Sequence, residues 1–120
     1  MQPQIVERSG HQIAIIQPGD VLLQSGQDAL DFMAAIGYTA GANRIVLPAA
    51  CLHPDFFDLK TKLAGEILQK AINYRFKLAI WGDFGEYTSP ALHAFMAESN
   101  RGFDIFFCAD QQAAIDALSR

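Results

Sequence analysis

A chain of 120 residues fits a single domain spanning 1–120, and with 51% apolar residues it has ample material for a core. Only 18% of its residues are charged, which excludes disorder over any long stretch. The net charge of −4, with no block of like charge along the chain, argues against nucleic acid as a partner.

Gln4 to Arg8 and Gln12 to Gln17 read as two strands around the turn pair Ser9-Gly10, and the run Ile13-Ala14-Ile15-Ile16 suits a strand buried on both faces. After Pro18-Gly19-Asp20, Ser25 and Asp28 predict a capping box, followed by a helix with Ala29, Leu30, Phe32, Met33 and Ile36 at helical spacing and Gly37 at its end. Arg44 to Leu47 is a short apolar strand stopped by Pro48. Residues 49 to 57 read as a loop. Asp58 is the expected cap of a second helix reaching about Tyr74, with Leu59, Leu63, Ile67 and Ala71 beside Ala64, Leu68 and Ile72 as its apolar face. Gly65 inside that helix predicts a close approach to a neighbouring backbone. Lys77 to Trp81 is the next buried strand. Ser89-Pro90 is a strong helix start, with Leu92, Phe95, Met96 and Ser99 on one face and an end at Asn100-Arg101-Gly102. Asp104 to Cys108 is the last strand, and Asp110 caps a final helix bearing Ala114, Ile115 and Leu118. The order β-β-α-β-α-β-α-β-α predicts an α/β fold: one mostly parallel sheet of about five strands flanked by four helices.

Compartment follows from what the residues lack. The start, MQPQIVERSG, has neither the basic region nor the apolar run of a signal peptide, and no apolar stretch approaches the ~20 residues a membrane span needs. Cys51 and Cys108 form no paired motif. A cytoplasmic protein without a membrane role is the expectation.

In parallel α/β sheets, ligands meet the loops at the carboxyl ends of the strands. Two loops there are polar. One holds Cys51, His53, Asp55, Asp58 and Thr61; the other holds Asp83, Glu86, Tyr87, Thr88 and Ser89. Cys51, His53 and Asp55, with Asp58 as a fourth ligand, are permissible for zinc, but their spacing repeats no known ligand set, so no metal is expected. A nucleophile needs a base and an orienting group; Cys51 and His53 stand two apart, without the context of a nucleophile elbow. Cys108 sits in an apolar strand as core, and His11 and His93 are expected to be solvated. Gly82-Asp83-Phe84-Gly85 is too short and too acidic for a phosphate loop, and its DFG triplet lacks the rest of the kinase set. Phe106 and Phe107 are core, and Phe56 and Phe57, placed where an apolar residue staples onto a helix start, are expected as core rather than as a cofactor pocket. No cofactor is implied and no catalytic residue stands out.

Four stretches together resemble the STAS domains of bacterial anti-sigma factor antagonists and sulfate-transporter tails. Ile13 to Leu23 resembles their second strand and its exit, and Arg44 to Leu47 the strand before their central loop. Phe56-Phe57-Asp58-Leu59 followed by Leu63 to Leu68 resembles the start of their second helix. Gly102 to Leu118 resembles their ending. The segment FFDLKTKLAGEILQKAINYRFKLAIWGDF is closer still to a bacterial family known only as a domain of unknown function. The resemblance implies a regulatory domain that binds a protein partner. Where antagonists carry a phosphorylated serine, this chain has Leu59 and Lys60 after Asp58, and the nearest hydroxyl is Thr61. The expected partner-binding or switch residues are therefore His53, Asp55, Asp58, Thr61, Asp83, Tyr87 and Ser89. The rival reading is a small enzyme or small-molecule-binding domain that uses the same loops, with Cys51, His53, Asp58 and Asp83 as polar contacts.

Overall fold

The computed structural model describes residues 3–120, so Met1 and Gln2 of the N-terminal reading lie outside the described residues. Strands β1 (Gln4–Arg8), β2 (His11–Ile15), β3 (Arg44–Pro48), β4 (Lys77–Trp81) and β5 (Ile105–Cys108) form one sheet in the order β1-β2-β3-β4-β5. Helices α1 (Gly26–Ala40), α2 (Leu63–Asn73), α3 (Pro90–Arg101) and α4 (Gln111–Leu118) flank it. The expected α/β fold is the observed one. β1 and β2 pair antiparallel, and the remaining pairs are parallel. Ser9 and Gly10 close the hairpin with φ of 54° and 81°, the left-handed pair whose twist matches that of the strands.

The layering follows from the strand order. Each of α1, α2 and α3 joins neighbouring parallel strands, and the sheet is crossed in one direction throughout. A fixed crossover hand then places all three helices on the same face. Ala14, Ile16, Ile45, Leu47, Leu78, Ile80, Ile105 and Phe107 point into that layer, against Met33, Ile36, Ile67 and Leu92. The alternate residues Ile13, Ile15, Val46, Ala79 and Phe106 face α4, which packs across β3, β4 and β5 through Ala114, Ile115 and Leu118. The run Ile13 to Ile16 is thus buried on both faces, as its composition requires.

Several boundaries differ from those expected. Ser25 Oγ accepts from Asp28 N at 3.0 Å, but Asp28 returns its bond to Gln24 N, one residue earlier than a standard box. The first helix runs a turn past Gly37 to a left-handed Gly41 at φ 67°. Gly37 serves packing instead, since a Cβ there would stand 3.3 Å from the Phe76 ring. The second helix begins at Leu63 rather than after Asp58. Asp58 Oδ1 accepts from Lys60 N at 3.2 Å and caps a single 3-10 turn, Leu59–Thr61, which Lys62 ends in the left-handed region at φ 68°. Leu59 therefore leaves the helical face, and Ile72 is 49% exposed at its flank. Gly65 meets nothing within 4 Å, against expectation; the close approach of α1 to α2 lies at Gly26, where a Cβ would stand 3.3 Å from Glu66 Cβ. No described helix is long and apolar enough to cross a membrane.

Candidate functional site

The carboxyl ends of β2, β3 and β4 open into three connections, 16–25, 49–62 and 82–89. The segment expected to be a plain loop after β3 is built of 3-10 turns, Ala49–Cys51, Pro54–Phe57 and Leu59–Thr61. It is also stitched to the neighbouring connection. Leu23 N donates to Cys51 O at 2.8 Å, and His53 N donates to Leu23 O at 3.0 Å, a one-residue parallel bridge. The third connection holds one more such turn, Phe84–Glu86.

Aromatic rings join the two polar loops. Phe57 stacks on Tyr87 with centroids 5.0 Å apart and planes at 23°, and it lies 5.9 Å from the Phe84 ring. Phe56, fully buried, sits 5.0 Å from Phe57 and 6.3 Å from Phe107. The pair at 56–57 is thus core, as expected. Phe56 and Phe84 tether the loops to Phe107 of β5, at 6.3 and 5.7 Å, while Phe57 and Tyr87 join loop to loop, so the loops form one surface. A cavity of about 360 Å³ opens on it between Leu22, Leu52, Pro54, Phe57 and Tyr87.

Most polar side chains singled out from the sequence are engaged in fastening these turns. His53 Nδ1 accepts from Asp55 N at 3.0 Å and caps the turn Pro54–Phe57, with Asp55 Oδ2 3.7 Å away. Asp83 Oδ1 accepts from Gly85 N at 3.1 Å, and Ser89 Oγ accepts from Leu92 N at 3.2 Å at the start of α3. Thr61 lies outside α2, at the end of a 3-10 turn. Its hydroxyl is shared between the carbonyl oxygens of Asp55 at 2.6 Å and Asp58 at 2.8 Å, and it accepts from Leu63 N at 3.3 Å. His93 Nε2 hydrogen-bonds Tyr87 O, holding the third connection to α3. Asp55, Asp58, Asp83 and Glu86 are exposed on the two loops, Glu86 lining the cavity, with Leu22 48% exposed beside it.

Cys51 and His53 are not brought together. The Cys51 side chain is fully buried and points at Gln17 O, 3.7 Å away, while His53 turns to Asp55. Burial pushes the Cys51 thiol above its ordinary value of 9.0, away from the thiolate a nucleophile needs. Burial also raises Cys108, which is only half-buried, and Tyr87, with the Glu86 carboxylate adding to the latter. Among the described residues no three His, Cys, Asp or Glu side chains converge as metal ligands. Leu22 was not singled out from the sequence, and Phe57 and Phe84, though inside the two expected stretches, were not foreseen as the rings that join them.

A family model described as a domain of unknown function, DUF4180, matches residues 8–118. The chain belongs to this family. The match takes in β2 to β5 and all four helices, while β1 lies before it except for Arg8. No curated protein matches the chain. Among solved structures, an anti-sigma-factor antagonist (STAS) domain protein from Planctomyces limnophilus is similar over 98% of both chains, at 12% identity and a TM-score of 0.35. That solved structure is of the type the sequence resembles, and at this TM-score no functional statement rests on it.

Proposed function

We propose that this member of the DUF4180 family is a non-enzymatic interaction domain of STAS-like type that binds a protein partner through the carboxyl end of its sheet. The stacking of Phe57 on Tyr87 carries the reading. It joins the stretch from His53 to Thr61 with that from Asp83 to Ser89 into one surface, with an apolar hollow edged by Glu86 and with Asp55, Asp58 and Asp83 exposed on the same two loops. Such a surface suits a partner that inserts an apolar or aromatic side chain flanked by lysine or arginine. The regulatory part of the reading comes from the sequence resemblance to STAS domains; Thr61, in place of their serine, is engaged with its own turn.

Photo-crosslinking in the native cell tests this. Benzoylphenylalanine in place of Tyr87 should give a discrete protein adduct. The same group in place of Tyr38, 92% exposed on α1, should not. Adducts from both positions, or from Tyr38 alone, refute the proposed surface. A second reading, a small molecule in the 360 Å³ hollow, rests on the cavity itself. It predicts a melting temperature that climbs with the logarithm of ligand concentration.

A further inference from the structure

The amino end of the sheet holds a different chemistry. Arg44 and Lys77 open β3 and β4 as register partners, so both side chains stand on the α4 face. Together with Arg101 at the end of α3 and Arg120 beyond α4, they line a single cavity of about 270 Å³. Four of the nine lysines and arginines of a chain with net charge −4 thus meet in one place.

Two of the four are anchored. Arg44 Nη1 donates to Leu118 O at 2.6 Å and to Arg120 O at 3.2 Å, and Lys77 Nζ donates to Phe103 O and lies 3.5 Å from Asp104 Oδ1. Arg101 and Arg120 pair with no carboxylate among the described residues, and the Arg120 guanidinium rests 5.3 Å above the Phe106 ring. The carbonyl ends of α3 and α4 offset about half a charge each. With Asp104 counted as well, a surplus of about two positive charges remains, and a carboxylate on Arg120 would still leave it positive. Phe103, 80% exposed, forms the rim and also borders an apolar hollow of about 330 Å³ with Leu68, Ile72 and Phe95.

We infer that this cavity binds a small organic phosphate, its phosphate held by Arg101 and Arg120 and its apolar part laid against Phe103. Guanidinium forks match phosphate oxygens two by two, and the anchored Arg44 and Lys77 supply fixed positive charge behind them. An exposed ring at the mouth of a cationic cavity adds an apolar contact that inorganic phosphate does not use.

The test is a titration of ¹⁵N-labelled protein with phenyl phosphate and, separately, inorganic phosphate, followed by amide shifts. Both ligands should move amides confined to residues 100–106 and 117–120, with phenyl phosphate binding about tenfold tighter. Arg101→Gln and Arg120→Gln should each weaken both ligands about tenfold, and Phe103→Ala should remove only the advantage of phenyl phosphate. Arg101, Phe103 and Arg120 are exposed, so the variants should keep the parent spectrum elsewhere. Absence of shifts at about 10 mM ligand, or shifts scattered over the surface, overturns the site. Equal affinity for the two phosphates, or a Phe103→Ala variant that still prefers phenyl phosphate, overturns the assigned ligand class.

Discussion

The two ends of the parallel strands are built on opposite plans. At the amino end, the connections Gly41–Asn43, Tyr74–Phe76 and Gly102–Asp104 are three residues each, and left-handed Gly41 and Arg75 turn two of them tightly. At the carboxyl end the connections after β2, β3 and β4 are long, the last two folded into 3-10 turns, and together they hold Asp20, Asp55, Asp58, Asp83 and Glu86 against Lys60 and Lys62. Short connections leave the chain little to do beyond reversing direction. Long ones carry surplus residues that are free to form a surface, which is where binding residues concentrate on rigid scaffolds. The basic cavity at the amino end is assembled differently, from side chains at strand starts and helix ends.

The sharpest way to break the contrast is to remove the anchor beneath the long loops. Phe56→Ala should cost about 3–5 kcal/mol, because a fully buried ring contacting Phe57 and Phe107 leaves a cavity under both polar connections. Urea unfolding measures it, and a loss below about 1 kcal/mol would show that the aromatic series is not what holds the carboxyl end together. Asn100→Ala comes next. Its amide accepts from Phe107 N at 2.6 Å and donates to Phe107 O at 3.1 Å, covering the free edge of β5. Leaving those groups unpaired should cost about 1–3 kcal/mol and raise concentration-dependent association through the bared edge. Unchanged stability together with a monomeric variant by light scattering would show the amide to be dispensable.

Thr61→Val should cost about 1 kcal/mol and act locally. Hydrogen exchange should quicken over 55–63 while the sheet amides stay protected; uniform loss of protection would contradict a purely local fastener. The smallest effect is alkaline. Cys51, Cys108 and Tyr87 all lie at the carboxyl ends of strands or beyond them, and burial raises all three above their ordinary values. A raised acid keeps its proton longer in the folded chain, so its contribution is whole below the unfolded value and is lost as pH rises through the folded one. Stability should therefore decline above about pH 9, and Cys51→Ala should shallow that decline. An identical slope in the variant would separate Cys51 from it.

How much of this was legible in sequence divides along the same line. The strands announced themselves by apolar runs, and Ser25, Ser89 and Asp110 each cap the helix their position implied. Asp58 misled because a carboxylate caps a 3-10 turn by the same hydrogen bond that starts an α-helix, and lysine at position 62 gives no hint of a left-handed φ. Gly65 misled because a helical glycine looks alike in sequence whether a neighbour presses on it or, as here, nothing does. The polar loops were found as candidates, yet their union through Phe57 and Tyr87 was not, since ring stacking between residues thirty apart leaves no local pattern. The basic cavity was hidden for the same reason: Arg44, Lys77, Arg101 and Arg120 are scattered along the chain and meet only when it folds.

The central claim is that the carboxyl end receives a protein partner, and reversing charge at each end in turn tests it most directly. Asp55 and Arg101 are both exposed, so Asp55→Lys and Arg101→Glu should fold as the parent does. Tagged parent and both variants are used to recover bound protein from cells that express the chain natively, with quantitative mass spectrometry as the readout. The account predicts one partner recovered equally by the parent and Arg101→Glu, and reduced about tenfold with Asp55→Lys. Equal recovery by all three, or loss with Arg101→Glu alone, would contradict it.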